Sequence, residues 1–282
     1  MNVYTLDTGL FKLDGGAMFG VVPKSLWSRQ YPADENNMCT WAMRCLLVQE
    51  GNRLLLVDNG IGNKQDDKFR GHFYLHGDAT LEGSLRKLGF TASDITDVLL
   101  THLHFDHCGG SVVRTPDDKL QLAFPNATYW SNEAHWQWAV QPNAREKASF
   151  LKENILPIQE SGHLRFIDPA AGVPNELSMV REMVFADGHT EKMMVPVFEY
   201  KGRKLAFMAD LLPSTAHLPM SWVMSYDVRP LQTLAEKEAT LQRAADEQWV
   251  LILEHDAHTE ACTVQQTERG VRLGETLRIA DL

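Results

Sequence analysis

One segment, Thr101–Gly110, constrains this chain more than any other feature of its sequence. Residues His102 to His107 contain three histidines and one aspartate in the pattern H-x-H-x-D-H. They directly follow the apolar run Val98-Leu99-Leu100, and an apolar run that ends in polar residues is typical of a buried strand. So many ligand-type side chains beside an apolar strand are costly unless something satisfies them. The pattern therefore predicts a metal site.

The spacing within this segment favours two metal ions over one. His102 and His104 are two residues apart, so an extended backbone would point both side chains to one face. Asp106 and His107 follow where the chain turns away, and Gly109-Gly110 can supply the backbone angles of that turn. Two ligand pairs that point in different directions suit two ions. Imidazole together with carboxylate suits zinc and its borderline neighbours.

The composition excludes several classes of function. With 282 residues, 44% of them hydrophobic, the chain can bury a core in one large domain or two small ones. The net charge of -10 argues against nucleic acid as a partner, since Lys and Arg form no basic run. No apolar run approaches a membrane span and no signal peptide is visible, which predicts a cytoplasmic protein. The four cysteines lack Cys-x-x-Cys spacing and indicate reduced thiols.

Five apolar runs of the sequence are each followed by a histidine or an aspartate. The runs have the length and composition of strands, and the polar residues after them are Asp58, His102, His189, Asp210 and His255. His189, Asp210 and His255 are each ordinary alone, but together they complete a ligand set. Asp58 admits two interpretations: it orients a ligating histidine through a hydrogen bond, or it caps its own turn.

The glycine-rich segment Gly15–Pro23 also admits two interpretations. It is either a plain connection or a mobile wall that presents Met18 and Phe19 to an apolar substrate. We count Met18, Phe19 and His217 as candidate substrate-pocket residues. Neither His217 nor His258 is expected to bind a metal.

The pattern predicts further elements between these runs. Lys64–Gly77 is expected to be a flexible loop with surface histidines. Asp78 is expected to cap a helix that Gly89 ends. Another helix is expected to begin after Pro142 and run to about Leu156, and a long amphipathic helix to span 230–247.

Taken in order, these residues resemble the metallo-β-lactamase superfamily. The resemblance rests on the run from His102 to His107, Gly188-His189-Thr190, Asp210 and His255, and on the early aspartate in Val57-Asp58-Asn59-Gly60. It covers roughly residues 40 to 256. It implies an α/β (α+β) fold, a four-layer αββα sandwich in which two mixed sheets pack face to face, and a single domain over 1–282.

The resemblance also implies the roles of the ligands. Two divalent ions are expected, zinc first, with iron, manganese or cobalt as alternatives. One ion would be held by His102, His104 and His189, the other by Asp106, His107 and His255, with Asp210 bridging both. Asp106 is the expected catalytic proton shuttle.

Within the superfamily the chain is most similar to the lactonase and organophosphate-hydrolase branch, which includes N-acyl-homoserine lactonases. Ala209–Pro213, Ala216-His217 and Trp222–Met224 carry that likeness. It implies a quorum-quenching-type lactonase that opens a lactone or cleaves a small ester with a metal-bridging hydroxide. A phosphotriesterase or aryl esterase, and an iron-dependent dioxygenase, are the alternatives. The expected partner is a small ester or lactone. Neither nucleic acid nor a membrane is expected as a partner, and a homodimer is one of the oligomeric states left open.

Two departures from the family pattern concern the substrate. Glu191-Lys192-Met193 follows Thr190, where many relatives continue with Pro-Gly-His. Pro213 stands where some lactonases place a tyrosine that contacts the lactone. Tyr226, His217 and Tyr74 are the alternatives for that role.

Overall fold

The computed structural model describes all residues from Met1 to Leu282. The strands form two six-stranded sheets and one two-stranded ribbon. They are β1 (Asn2–Asp14), β2 (Met38–Glu50), β3 (Arg53–Val57), β4 (Asp97–Leu99), β5 (Val112–Arg114), β6 (Leu120–Leu122), β7 (Thr128–Ser131), β8 (Leu164–Phe166), β9 (Val180–Ala186), β10 (Met193–Tyr200), β11 (Arg203–Phe207), β12 (Val250–Ile252), β13 (Ala261–Thr267) and β14 (Gly270–Leu277). The α-helices are α1 (Gly15–Phe19), α2 (Lys24–Trp27), α3 (Asp67–Phe73), α4 (Leu81–Lys87), α5 (Phe105–Cys108), α6 (Glu133–Val140), α7 (Lys152–Glu160) and α8 (Pro230–Asp246).

Contacts divide the chain into two compact units that alternate along the sequence. The first unit is Met1–Gly9, Met43–His72 and Gly77–Met179, and the second is Leu10–Ala42, Phe73–His76 and Val180–Leu282. Strands β1 and β2 contribute residues to both units. The expectation of a single domain over 1–282 stays a prediction. None of the helices has both the length and the apolar composition that a membrane span requires.

In the first unit, parallel strand pairing sets the position of the histidine-rich segment. The first sheet has the order β1-β2-β3-β4-β7-β8, and β4 pairs in parallel with both β3 and β7. The predicted apolar run Val98–Leu100 is fully buried. Because parallel strands end at the same edge of a sheet, the segments after β3 and β4 emerge side by side.

In the second unit, the same principle applies to β11 and β12. The second sheet has the order β14-β13-β12-β11-β10-β9, with β11 and β12 parallel and the other neighbours antiparallel. Helix α8 buries Leu241 and Ala244 in the core of this unit. The apolar runs 40–49 with 53–58 and 195–200 with 203–208 predict two hairpins, and both are present as β2–β3 and β10–β11. Lys201-Gly202 at the tip of β10–β11 has the positive φ angles that a tight hairpin turn requires.

Three local predictions are wrong. The segment Lys64–Gly77 contains helix α3 instead of being all loop. Thr80, not Asp78, caps helix α4, because the Thr80 hydroxyl accepts a hydrogen bond from the Gly83 amide. The helix expected directly after Pro142 begins only at Lys152.

The segment Gly15–Pro23 begins with a helix rather than a loop. The Asp14 side chain caps α1 by accepting a hydrogen bond from the Ala17 amide at 2.8 Å. Met18 and Phe19 are buried on this helix.

Two features were not anticipated from the sequence: the long first strand β1 and the C-terminal β13–β14 hairpin.

Close packing behind the histidine-rich segment generates a stability prediction. A Cβ atom at Gly110 would lie 2.2 Å from the Asn59 carbonyl oxygen. We therefore expect Gly110→Ala to lower the free energy of unfolding by roughly 1–3 kcal/mol, as overpacking does elsewhere. Thermal or urea denaturation measures the change. The matched control is Gly71→Ala in α3, where nothing lies within 4 Å of the added methyl group, and equal destabilisation of both variants would contradict the packing argument.

Candidate metal centre

The first unit builds its cluster on the loop after β4. Asp58, which follows β3, donates its backbone amide to the Leu99 carbonyl at 2.9 Å. The Asp58 carboxylate accepts hydrogen bonds from the Thr101 amide at 2.8 Å and from the Thr101 hydroxyl at 2.6 Å. The Asp58 side chain therefore holds the start of the histidine-rich loop against the neighbouring strand end.

The same carboxylate reaches one of the candidate ligands. Oδ2 of Asp58 lies 3.1 Å from Nδ1 of His107. Nδ1 of His102 lies 3.1 Å from the hydroxyl oxygen of Thr101. These contacts leave Nε2 of both rings as the candidate metal-donor atom, because a histidine ligand usually holds its other nitrogen with an acceptor of the protein.

His104 has the opposite ring orientation. Its Nε2 lies 3.5 Å from the Glu146 carboxylate, so Nδ1 is the candidate donor atom. Glu146 is itself held by Nε1 of Trp138 at 2.7 Å. The backbone amide of Leu103 donates to Nε2 of His135 at 2.8 Å. The sequence patterns did not single out His135 or Glu146, because nothing local links them to partners that lie 32 and 42 residues earlier.

The second unit builds its cluster from three strand ends. His189, Asp210 and His255 each lie three residues beyond the last residue of β9, β11 and β12. The two carboxylate oxygens of Asp210 face different rings: Oδ2 lies 3.0 Å from Nε2 of His189, and Oδ1 lies 3.0 Å from Nε2 of His255. The Asp210 carboxylate thus contacts both imidazole rings at once.

Both histidines of this cluster are held through Nδ1. For His189 the acceptor is Oδ1 of Asp227 at 3.0 Å, and for His255 it is the Ala42 carbonyl at 2.8 Å. The other oxygen of Asp227 accepts from the Met224 amide at 3.0 Å. Burial lowers the pKa of His189, but the carboxylates of Asp210 and Asp227 raise it by more, to about 10. Sequence reasoning missed Asp227.

Backbone strain coincides with these clusters. Asp58 has φ 53°, and Ala209, directly before Asp210, has φ 43°. Residues other than glycine adopt such angles rarely, and they do so where surrounding contacts enforce them, often at functional sites. The hydrogen bonds of Asp58 described above supply such contacts.

The donor set fits divalent metal ions. The seven candidate ligands are buried imidazoles and carboxylates, and they belong to clusters of side chains that could hold metal ions. Burial of so many ionisable groups is expensive without a cation. The combination of nitrogen and carboxylate donors suits zinc and similar ions.

The candidate substrate-pocket residues lie in an aromatic cluster of the second unit. Met18, Phe19 and His217 are 1%, 0% and 1% exposed. The ring of His217 stacks on Phe19 at 4.8 Å, and its nitrogens contact the Met18 carbonyl at 2.9 Å and the Ser214 hydroxyl at 2.8 Å. Contact with substrate stays a prediction for these three residues. Tyr226 and Tyr74, the alternatives to the missing tyrosine, are 37% and 51% exposed.

Comparison with known proteins agrees with this geometry. The sequence matches the family model described as the metallo-β-lactamase superfamily over residues 44–255, which is most of the chain. The chain belongs to the metallo-β-lactamase superfamily. The predicted metallo-β-lactamase fold, with mixed α and β content, is therefore confirmed. Among curated proteins, none matches the sequence.

Several solved structures resemble the chain over most of its length. A protein described as a probable metal-dependent hydrolase from Staphylococcus aureus is 31% identical, with 98% of this chain and 96% of that chain covered and a TM-score of 0.85. AidC, a dizinc quorum-quenching lactonase in complex with a product, is 21% identical, with 96% and 93% covered and a TM-score of 0.77. An N-acyl homoserine lactone hydrolase with N-hexanoyl-L-homoserine bound is 16% identical, with 90% and 93% covered and a TM-score of 0.67.

The contact between Asp227 and His189 generates a prediction about metal affinity. Asp227→Asn removes the negative charge beside Nδ1 of His189, so the ring should be a weaker and less ordered ligand. We expect the zinc dissociation constant to rise by about 10- to 100-fold, as for other residues that support a ligating histidine. Chelator competition measures it. Asp246→Asn, at an exposed position near the end of α8, is the matched control, and equal zinc affinity in both variants would refute the role of Asp227.

The burial of His217 generates a prediction about acid stability. Burial lowers the pKa of His217 to about 4, so between the usual value near 6.5 and pH 4 the unfolded chain binds a proton that the folded chain does not. Stability from this residue is therefore present above pH 6.5 and is lost as the pH falls towards 4, by on the order of 3 kcal/mol. In His217→Phe this part of the acid dependence should be absent. Urea unfolding from pH 7 to pH 4 tests it, and parallel curves for both proteins would exclude it.

Proposed function

We propose that this chain is a binuclear metal-dependent hydrolase that opens lactones or cleaves small esters. In this proposal the two clusters act together on two divalent ions, most simply zinc. The first ion would be bound by His102, His104 and His189, the second by Asp106, His107 and His255, and both by Asp210. Membership in the metallo-β-lactamase superfamily supports this assignment.

The observation that carries the proposal is the position of Asp210. Its two oxygens each lie 3.0 Å from the Nε2 atom of a different histidine. A carboxylate that binds a single ion needs to lie beside the ligands of that ion only. A carboxylate shared by two ions would lie beside one imidazole ligand of each ion, as Asp210 does. Asp227 and the Ala42 carbonyl orient the same two rings so that Nε2 faces Asp210.

The ions and the protein would divide the chemistry. When bound, two divalent ions supply an activated water near neutral pH and polarise the carbonyl group that is attacked. Asp106 lies in the first turn of α5 and is 8% exposed. One of its carboxylate oxygens would accept the proton of the attacking water and pass it to the departing alkoxide. Asp58 keeps His107 in place during these steps through the 3.1 Å contact at Nδ1.

The substrate class rests on charge and on the neighbouring structures. The net charge of -10 disfavours polyanionic substrates. Two of the similar structures are of proteins described as a quorum-quenching lactonase and an N-acyl homoserine lactone hydrolase. We therefore place small, uncharged lactones first among substrates. The cytoplasmic location and a homodimeric state stay predictions.

A phosphotriesterase or aryl esterase is the second candidate, because it would use the same ligands. A structure described as hydrolase AbOPH of the β-lactamase superfamily covers 96% of this chain at 18% identity, with a TM-score of 0.76. A mononuclear iron dioxygenase is disfavoured, since it would not need Asp106 and His107 as ligands.

Metal content tests the binuclear assignment. Elemental analysis should find two metal ions per chain, mainly zinc, in the purified protein, as the ligand set of the proposal requires. His189→Ala and Asp210→Ala should deplete metal, whereas the matched histidine variant His258→Ala should retain it, because His258 is exposed. One iron per chain, or metal loss in His258→Ala alone, would overturn the assignment.

A substrate panel on protein of known metal content tests the reaction. Hydrolysis rates should be highest on N-acyl-homoserine lactones, measured with acyl chains of different length, and lower on aryl esters and on a paraoxon-type triester. A preference for the triester would favour the second candidate. Oxygen consumption without hydrolysis would exclude both.

A further inference from the structure

The first unit contains a cavity that has no part in the proposed metal chemistry. Its volume is about 310 Å³, and none of the seven candidate ligands lines it. Ile61, Leu85, Val112 and Phe124 form buried apolar parts of its wall. This volume is at the lower end of the range in which proteins bind small molecules, and mostly apolar walls with few polar groups are typical of such sites.

Two threonines of the wall retain hydrogen-bonding capacity. The Thr8 hydroxyl donates its hydrogen to the Met43 carbonyl, so its lone pairs can still accept a bond. The Thr80 hydroxyl oxygen accepts from the Gly83 amide at 3.0 Å, so its hydrogen can still be donated. The wall thus offers both an acceptor and a donor to a ligand. A hydroxyl or amide group matches that pair.

A third polar group of the wall points to the same chemistry. Asn59 is buried, and its Nδ2 donates to the Ser111 hydroxyl at 2.8 Å. Its Oδ1 atom is buried without a hydrogen-bond partner in the protein. Leaving a buried acceptor unsatisfied costs about 1–3 kcal/mol. Because the Oδ1 atom is sealed from solvent, a donor from a bound molecule would offset that cost once the Asn59 side chain turns towards the cavity.

The charge of the wall argues against an ionic ligand. Glu82 is the one charged residue among those that line the cavity, and its carboxylate pairs with Arg86 at 2.5 Å. A carboxylate or phosphate ligand would find no cation in the wall. An ammonium ligand would have to compete with Arg86 for Glu82.

The cavity wall is connected to the histidine-rich loop. The Asn59 amide donates to the His107 carbonyl at 2.9 Å, and the Gly110 amide donates to the Gly60 carbonyl at 2.9 Å. A molecule in the cavity would therefore contact the segments that support His107. Occupancy should steady these segments, which gives the site a measurable signature.

We propose that this cavity is a binding site for an uncharged small molecule with an apolar body and one hydroxyl or amide group. The apolar body would occupy the space between Ile61, Leu85 and Phe124. The polar group would bond Thr8, Thr80 or the Asn59 amide oxygen. The proposal is independent of which substrate the metal centre hydrolyses.

Matched probes test this proposal on the metal-loaded protein. Hexan-1-ol, methyl pentyl ether and hexanoate have similar size but differ in hydrogen-bond donation and in charge. Calorimetric titration should give hexan-1-ol a dissociation constant roughly tenfold lower than that of the ether, as expected for one hydrogen bond. Hexanoate should bind more weakly than hexan-1-ol. Equal or stronger binding of the ether or of hexanoate would overturn the proposal.

Variants locate the binding site. Ala123→Phe fills the cavity that Ala123 lines and should weaken hexan-1-ol binding at least about tenfold. Ala170→Phe, the same substitution at an exposed loop position, should leave it unchanged. Unaltered binding in Ala123→Phe would place the alcohol elsewhere and refute the site.

Hydrogen exchange on the unaltered protein provides a measurement that does not depend on the folding of a variant. Hexan-1-ol should slow amide exchange in residues 59–64 and 110–113, which include wall segments of the cavity. Protection confined to other segments would also overturn the proposal.

Discussion

Burial of the histidine ring nitrogens is the constraint on which the two clusters depend. An imidazole that is removed from water needs a partner for each nitrogen, and a metal can satisfy only one of them. The fold provides the other partner from the protein each time: Asp58 for His107, Asp227 for His189 and the Ala42 carbonyl for His255. The candidate ligand atoms are therefore oriented by the protein itself.

The backbone makes this arrangement possible by placing the candidate ligands beyond strand ends. Parallel pairing of β3 with β4 brings the loops that follow them to one edge of the first sheet. Parallel pairing of β11 with β12 does the same at one edge of the second sheet. Positive φ angles at Asp58 and Ala209 then turn the chain sharply. Such angles are unfavourable for these residues, and the surrounding hydrogen bonds and packing hold them in place.

The shared fold and the candidate substrate-pocket residues differ in how far they vary between similar proteins. Structures that are only 16–21% identical to this chain have the same fold, so the fold tolerates wide variation in sequence. Residues that determine substrate specificity differ between proteins that have the same fold. In this chain Met18, Phe19 and His217 pack on one another in an aromatic cluster of the second unit. The glycine-rich pattern of Gly15–Pro23 does not by itself distinguish side chains packed in a core from side chains that line a substrate pocket.

The sequence by itself determined the candidate ligands, the strands that precede them and the superfamily, because H-x-H-x-D-H and strand-end residues are local patterns. It also determined the β2–β3 and β10–β11 hairpins and helix α8 closely. Only the tertiary structure revealed Asp227, Glu146 and His135, since their partners lie 32 to 42 residues away in sequence. Tertiary packing also decided the cavity of the first unit. Contacts between distant residues leave no periodic pattern in a sequence, so sequence patterns identify the candidate ligands but not the residues that support them.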